Sequence, residues 1–180
     1  GATGTVGHAH VARARGDGYT LLVGTNSTYA IAPHLMGSLP YDDSAFAPIS
    51  LLATTPQMLV AHPSQPFIDF AGFVSFARAN PGRLSFASSG NGGTSHLATE
   101  LLMQMAGLQM LHVPYRGGAP AAQAQLAGEV QVTFVDAITA IPHMRAGTMR
   151  PMGVSTAART PLAPEVPTMA EAGVAGLPGR

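Results

Sequence analysis

Two consecutive strand–loop–helix units in the middle of the chain constrain its fold most strongly. In the first unit, the apolar run Leu84–Ala87 leads into the loop SSGNGG, and a helix capped by a hydroxyl side chain is predicted to begin at Thr94 or Ser95. In the second, Met110–Val113 leads into PYRGG, and Pro120 falls where the first helical position is expected. Loops of small residues ahead of helices leave backbone N–H groups free at the positive ends of helix dipoles. The pattern predicts a site for a small anion at the carboxyl ends of parallel strands.

The rest of the chain alternates between runs typical of strands and runs typical of helices. Asp69 is expected to cap a helix that ends near Asn80, and the helix after Thr94 is expected to stop at Gly107. A short helix is expected around Pro142. The other predicted strands are Tyr19–Gly24, Met58–Ala61, Val130–Val135 and Met149–Val154. This alternation predicts an α/β fold in which helices flank a parallel sheet.

Composition excludes several classes of function. The 180 residues carry no net charge and include no lysine, so the chain lacks the basic surface of a protein that binds nucleic acid or an anionic membrane. No apolar run approaches the roughly 20 residues that span a membrane. The absence of cysteine excludes disulfides, thiol catalysis and cysteine-ligated zinc. No residue pattern predicts a metal site or a cofactor.

Polar and glycine residues at the predicted strand ends are the candidates for ligand binding. The SSGNGG loop alone could be only a tight turn, but together with the second loop it favours ligand contact. His96 could bond the backbone or the ligand, and Arg116 could form an exposed ion pair or offer two donors to a carboxylate. Asp136 could cap the next helix or accept from a ligand hydroxyl or ammonium group. The expected ligand-binding residues are Thr25, Asn26, Ser27, Ser88, Ser89, Gly90, Asn91, Gly92, Thr94, Ser95, His96, Tyr115, Arg116, Gly117 and Asp136.

The enzymatic alternative is a hydrolase that uses Ser95 and His96, or another Ser–His–acid set that includes Ser88, His112 and Asp136. The sequence has no G-x-S-x-G motif, and adjacent side chains on a helix point about 100° apart. The histidines form no H-E-x-x-H pair that would indicate a hydrolytic metal. We therefore expect no enzymatic activity.

Five motifs, in a fixed order, cover nearly the whole chain. They are GDGYTLL at residues 16–22, LPYD with FAPIS at 39–50, SSGNGGTSHL at 88–97, HVPYRGGAP at 112–120 and VPTMAEAG at 166–173. In this order they resemble the Bug (TctC-like) family, the periplasmic solute receptors of tripartite tricarboxylate transporters. The sequence departs from the family pattern between Asp42 and Phe46, which is slightly short, and at Ala163–Glu165, where Leu-Pro-Asp is commoner.

The resemblance implies a type II periplasmic-binding-protein-like α/β fold. It implies a complete parallel-sheet lobe at residues 55–157, an incomplete first lobe at 1–54 and a truncated crossover at 158–180. It also implies capture of a small carboxylate between lobes, delivery to membrane transporter subunits and a periplasmic location.

Family members are typically longer at both ends than this sequence. A strand at Tyr19–Gly24 would then have open edges, which would favour a homodimer through the incomplete lobe. The alternative is a self-associating remnant that binds no ligand.

Overall fold

The computed structural model describes residues 4–174, apart from the side chain of Asp43. The first part contains helix α1 (Thr5–Ala12), a π-helical turn (Ser27–Ile31) that continues into α2 (Ala32–Leu35), and a 3₁₀ turn (Asp43–Ala45). The second part consists of β1 (Gln57–Ala61), α3 (Phe70–Ala79), β2 (Ser85–Ser88), α4 (Thr94–Ala106), β3 (Leu111–Pro114), α5 (Gly118–Leu126), β4 (Val132–Asp136), α6 (Ala137–Arg145) and β5 (Arg150–Val154). Residues 175–180, the end of the predicted crossover 158–180, lie outside the described residues, and the division at 54 and 157 stays a prediction.

The five strands form one mixed sheet in the order β3-β2-β4-β1-β5. Strand β2 is parallel to β3 and β4, whereas β1 is antiparallel to both of its neighbours, β4 and β5. The predicted α/β fold is confirmed, but the prediction of a wholly parallel sheet is wrong. The apolar pattern of Met58–Ala61 indicates a strand without indicating the edge from which the chain enters the sheet. Because β1 runs against the other four strands, its start at Gln57 lies beside the end of β4 at Asp136.

Helices cover both faces of the sheet. In β1, Leu59 and Ala61 join a core with α3 and α4, whereas Met58 and Val60 join a second core with α5 and α6. The four side chains are fully buried, as expected for a central strand that packs on both faces. The sheet is therefore a rigid base for the loops that follow β2, β3 and β4.

The helix after β2 has the bounds predicted from the sequence but not the predicted cap. Helix α4 begins at Thr94 and ends before Gly107, whose φ of 64° places it in the left-handed region that favours glycine. The N-cap, however, is Gly93 and not a hydroxyl residue. The hydroxyl of Ser95 accepts a hydrogen bond from the Ser89 N–H instead.

The starts of the other helices also agree with the sequence predictions only in part. Asp69 caps α3 as predicted, because its Oδ1 accepts from the Gly72 N–H at 2.8 Å. Helix α5 begins at Gly118, so Pro120 is its third residue and not its first. Helix α6 starts directly after β4 and includes Pro142.

The strand predicted at Tyr19–Gly24 does not form. Residues 19–24 have no regular secondary structure, and Tyr19 and Val23 are 92% and 76% exposed. A strand needs a neighbour for its backbone hydrogen bonds, and residues 4–174 provide none for this segment. The predicted homodimer through open strand edges therefore lacks the strand on which it was based.

Four aromatic rings organise the first part of the chain. His8 is buried and packs edge-on against Tyr29, with ring centroids 4.9 Å apart, and against Phe46 at 5.6 Å. Tyr41 completes the cluster, and its hydroxyl donates to the Thr28 carbonyl at 3.0 Å. The cluster fixes the segment around residue 28, which faces the carboxyl edge of the sheet.

Candidate ligand-binding site

A cavity of about 730 Å³ lies between the carboxyl edge of the sheet and residues 24–27. Most of its lining side chains are small or polar. They are Gly4, Gly24, Thr25, Asn26, Ser27, Leu51, Ala53, Thr54, Thr55, Gln57, Ser89, Thr94, Ser95, Arg116, Gly117, Gly118, Ala119, Ala121, Phe134, Val135, Asp136 and Thr139.

Three helices begin at this cavity. Helices α4, α5 and α6 follow β2, β3 and β4, and the first turn of each contributes lining residues. Within the described residues, none of their N-caps makes a side-chain capping hydrogen bond, and none of their first turns contains an acidic residue. The first four N–H groups of a helix have no partner within the helix, so these starts present donors and positive dipole ends. Such an arrangement suits an anion.

The SSGNGG loop is held by its own side chains and those of α4. The Ser89 N–H donates to Ser95 Oγ at 3.0 Å, and the Gly92 N–H donates to His96 Nδ1 at 3.1 Å. Gly90 and Gly92 have φ values of 125° and 75°, which favour glycine. His96 thus bonds the backbone, the first of its two predicted roles, and does not line the cavity.

Beneath the loop, three stacked rings form a column. The ring centroids of Phe86 and His112 are 4.8 Å apart, and those of His112 and His96 are 4.1 Å apart. His112 Nε2 lies 2.6 Å from Ser88 Oγ. Burial, and to a smaller extent the neighbouring His96, lower the pKa of His112 below its usual 6.5. The packing beneath the loop therefore favours an uncharged imidazole at this position.

The first part of the chain meets the start of α4 through direct hydrogen bonds. Thr94 Oγ1 lies 2.9 Å from Ser27 Oγ and donates to Asn26 Oδ1 at 3.1 Å. Gly24 is required here by close approach, since a Cβ at this position would lie 2.1 Å from Cε2 of Tyr29. These contacts form the wall of the cavity that faces the sheet.

Asp136 ends β4 and is held by residues at the start of β1. Its Oδ1 accepts from Thr55 Oγ1 at 3.2 Å and from Gln57 Nε2 at 2.5 Å. Among residues 4–174 its side chain does not cap α6, so the first of its two predicted roles is not the one observed. Thr55 and Gln57 line the cavity and were missed by the sequence analysis, because only the antiparallel direction of β1 brings them to this edge.

The two side chains of the second loop have different surroundings. Arg116 lines the cavity, and its guanidinium makes no ion pair or hydrogen bond within the described residues. The exposed ion pair, one of its predicted roles, is therefore not formed, and its five donors are available to a ligand. The Tyr115 hydroxyl donates to Glu129 Oε2 at 3.3 Å, away from the lining.

The structure brings together nine of the residues expected from the sequence. Those that line the cavity are Thr25, Asn26, Ser27, Ser89, Thr94, Ser95, Arg116, Gly117 and Asp136. Those outside the lining are Ser88, Gly90, Asn91, Gly92, His96 and Tyr115. Several missed residues are neighbours of predicted ones and could have been found by helical spacing: Gly118 and Ala119 follow Gly117 at the start of α5, and Thr139 is in the first turn of α6 after Asp136.

A hydrolytic Ser–His–acid set does not assemble in the described residues. Ser88 and His112 lie within hydrogen-bonding distance, but Ser88 is fully buried and outside the cavity. Ser95 Oγ is bonded to Ser89, and Asp136 is bonded to Thr55 and Gln57 and, within residues 4–174, to no histidine.

Within residues 4–174, no group of three or more histidine, aspartate or glutamate side chains could hold a metal ion. No helix in this part of the chain is both long and apolar enough to cross a membrane.

The fold is similar to that of solved periplasmic and solute-binding proteins. A Rhodopseudomonas palustris protein solved with adipate has a TM-score of 0.94 and 36% identity to this chain, over 98% of this chain and 59% of its own. MatC from the same organism, solved with malate, has a TM-score of 0.90 and 33% identity, over 99% and 62%. The periplasmic binding protein BugD has a TM-score of 0.90 and 31% identity, over 99% and 60%. BugD is named as a binding protein, and the other two were solved with a small acid, which agrees with the prediction that the chain is not an enzyme.

The family follows from the sequence match. Residues 1–178 match the tripartite tricarboxylate transporter family receptor. A protein from the tcbD–tcbE intergenic region of Pseudomonas sp. is 42% identical, over 99% of this chain and 53% of that relative. The chain thus belongs to the tripartite tricarboxylate transporter receptor family, as its motifs predicted, and spans about half the length of the curated relatives it matches.

Proposed function

We propose that the chain is the solute-binding part of a periplasmic receptor that captures a small carboxylate for a tripartite tricarboxylate transporter. The observation that carries the proposal is the cavity at which α4 and α5 begin, where residues 4–174 supply neither a side-chain cap for these helices nor a partner for the Arg116 guanidinium. Backbone donors at helix starts and a guanidinium bind carboxylates through charge-assisted hydrogen bonds. The family, and the adipate and malate bound by two structural neighbours, support this ligand class.

In this proposal the predicted residues have four roles. Thr94, Ser95 and the first N–H groups of α4 and α5 hold the carboxylate, with Arg116 as its charged partner. Residues 25–27 form the opposite wall, and Asp136 contacts another part of the ligand. The remaining predicted residues shape the loops, and they are Ser88, Ser89, Gly90, Asn91, Gly92, His96, Tyr115 and Gly117, of which Ser89 and Gly117 also line the cavity.

Calorimetry with adipate, malate, other di- and tricarboxylates and aromatic acids tests the ligand class. We expect at least one acid to bind and to raise the melting temperature, whereas adipamide, the uncharged analogue of adipate, should not. Replacement of Arg116 by Gln should weaken the best ligand about tenfold or more, because a charge-assisted hydrogen bond is lost. Arg83→Gln is the matched control, since Arg83 is exposed and outside the cavity. Absence of binding by every acid would favour the self-associating remnant instead.

Delivery to a transporter and the periplasmic location are tested in cells. Expressed from its native gene, the protein should appear in the periplasmic fraction, and deletion of the gene should abolish uptake of the acid that binds in calorimetry. The Arg116→Gln gene should fail to restore uptake, whereas the Arg83→Gln gene should restore it. Uptake that is unaffected by the deletion would contradict the proposed partnership.

A further inference from the structure

Among residues 4–174, the two charged residues that line the cavity lie at the ends of different strands of the carboxyl edge. Along the order β3-β2-β4-β1, Arg116 follows β3 and Asp136 ends β4, with β2 between them. Two inter-strand spacings separate β3 from β4 by roughly 10 Å. The cavity therefore has a cationic side and an acidic side.

The helix starts reinforce this difference. Helices α4 and α5 begin after β2 and β3, and neither has an acidic residue in its first turn. Helix α6 begins at the acidic side, where its N-cap residue is Asp136 itself, so a negative charge offsets its positive dipole end. Donors thus dominate at β2 and β3, and an acceptor dominates at β4.

The carboxylate of Asp136 is fixed on one side only. Both donors from the start of β1, Thr55 Oγ1 and Gln57 Nε2, bond the same oxygen, Oδ1. Within residues 4–174, Oδ2 accepts no hydrogen bond. Because Asp136 lines the cavity, a ligand that reaches it meets an acceptor and a negative charge. A second ionised carboxylate at this place would be repelled, whereas a donor would be bound.

We propose that the ligand is an amino carboxylate, whose carboxylate binds at the starts of α4 and α5 and whose ammonium group donates to Asp136. The inference rests on the proposed function, since it assumes that this cavity binds a carboxylate. An ammonium group is favoured over a hydroxyl group, because both can donate a hydrogen bond to the carboxylate and only the ammonium group adds the attraction of an opposite charge. Asp136 is then the residue that determines specificity.

Succinate, malate and aspartate test the inference, since they share one carbon skeleton and differ only in a hydrogen, a hydroxyl or an ammonium group. Calorimetry should find aspartate bound about tenfold or more tighter than succinate, with malate between them. In Asp136→Asn, which removes the charge and keeps the shape, the preference should fall below about threefold through weaker aspartate binding. The control Asp17→Asn, at an exposed carboxylate outside the cavity, should keep the full preference.

Adipate and 2-aminoadipate allow the same comparison with a longer carbon chain. The inference can therefore be tested even if the four-carbon acids are too short to bind. If the acid without the amino group binds as tightly as its amino counterpart, the inference is wrong and the proposed function stands. The same conclusion follows if Asp136→Asn folds and keeps the preference. If no acid of either set or of the wider panel binds, the proposed function itself fails. The wild-type comparison decides the inference even if the Asp136 variant does not fold.

Discussion

Residues 4–56 and residues 57–154 contain similar apolar runs, but only the second region builds a sheet. Met58–Ala61 is fully buried in β1, whereas Leu21 and Val23 are 72% and 76% exposed, and Leu51 and Leu52 are 80% and 75% exposed. Local preference does not explain the difference, because TLLVG and MLVA are both suited to strands. The difference is that β1 has partners on both sides, β4 and β5, which lie far along the chain. Pairing between distant segments decides which apolar runs become strands.

The largest expected effect contrasts a buried side chain of the second region with an exposed one of the first. Phe73 is fully buried in the core on α3, so Phe73→Ala should lower the free energy of unfolding by about 3–5 kcal/mol. Leu21→Ala, at a position that is 72% exposed, should change it by less than about 0.5 kcal/mol. Urea unfolding of the two variants measures both values. Similar losses would mean that residues 19–23 are packed in solution and that the contrast is wrong.

The second prediction concerns the contact between the two regions at the SSGNGG loop. Gly92 and Gly82 have φ values of 75° and 73°, so valine at either should lower the free energy of unfolding by about 1–2 kcal/mol. A Cβ at Gly92 would also lie 3.0 Å from Leu35 Cδ1 of α2, whereas one at Gly82 would meet no atom within 4 Å. Only Gly92→Val should abolish carboxylate binding in calorimetry. Equal binding by both variants would show that the SSGNGG loop does not take part in carboxylate binding.

Two aspartates that accept from the backbone give a smaller contrast. Asp69 accepts from the Gly72 N–H and caps α3, so Asp69→Ala should lower the free energy of unfolding by about 1 kcal/mol. Asp17 accepts from the Tyr19 N–H in the exposed first region, and Asp17→Ala should change the value by less than about 0.5 kcal/mol. Thermal unfolding distinguishes the two. If Asp17→Ala lowered the free energy of unfolding as much as Asp69→Ala, the first region would be shown to unfold cooperatively with the sheet.

The smallest effect is a dependence on pH. Because the pKa of His112 is lowered in the folded chain, the unfolded chain binds more protons just below pH 6.5. Stability should therefore fall as the pH decreases through the usual pKa of 6.5 towards the lowered one, and should level off below it. Urea unfolding from about pH 8 to about pH 5 measures this slope. His112→Gln should flatten it, whereas His34→Gln, at an exposed histidine of the first region, should leave it unchanged.

The sequence allowed good prediction of the second region, because its signals are local. The Asp69 cap, the Gly107 stop and the strand–loop–helix units at β2 and β3 each depend on residues close in the chain. The direction of β1 could not be predicted in this way, since it depends on which neighbours the strand meets. Arg116 and Asp136 could be proposed for the site because each follows or ends a strand that the local sequence predicts. Thr55 and Gln57 could not, because they reach the site only through the antiparallel direction of β1.

The crowding at Gly24 limits which pairs of residues positions 24 and 29 can hold. The aromatic cluster places the Tyr29 ring so close that any Cβ at position 24 would collide with it, and His8 Nε2 would lie only 3.1 Å away. Position 24 can therefore gain a side chain only in a sequence whose residue 29 is smaller or turned away. Across related receptors, the two positions should change together, and a receptor with a bulky residue at both would have a differently shaped cavity wall.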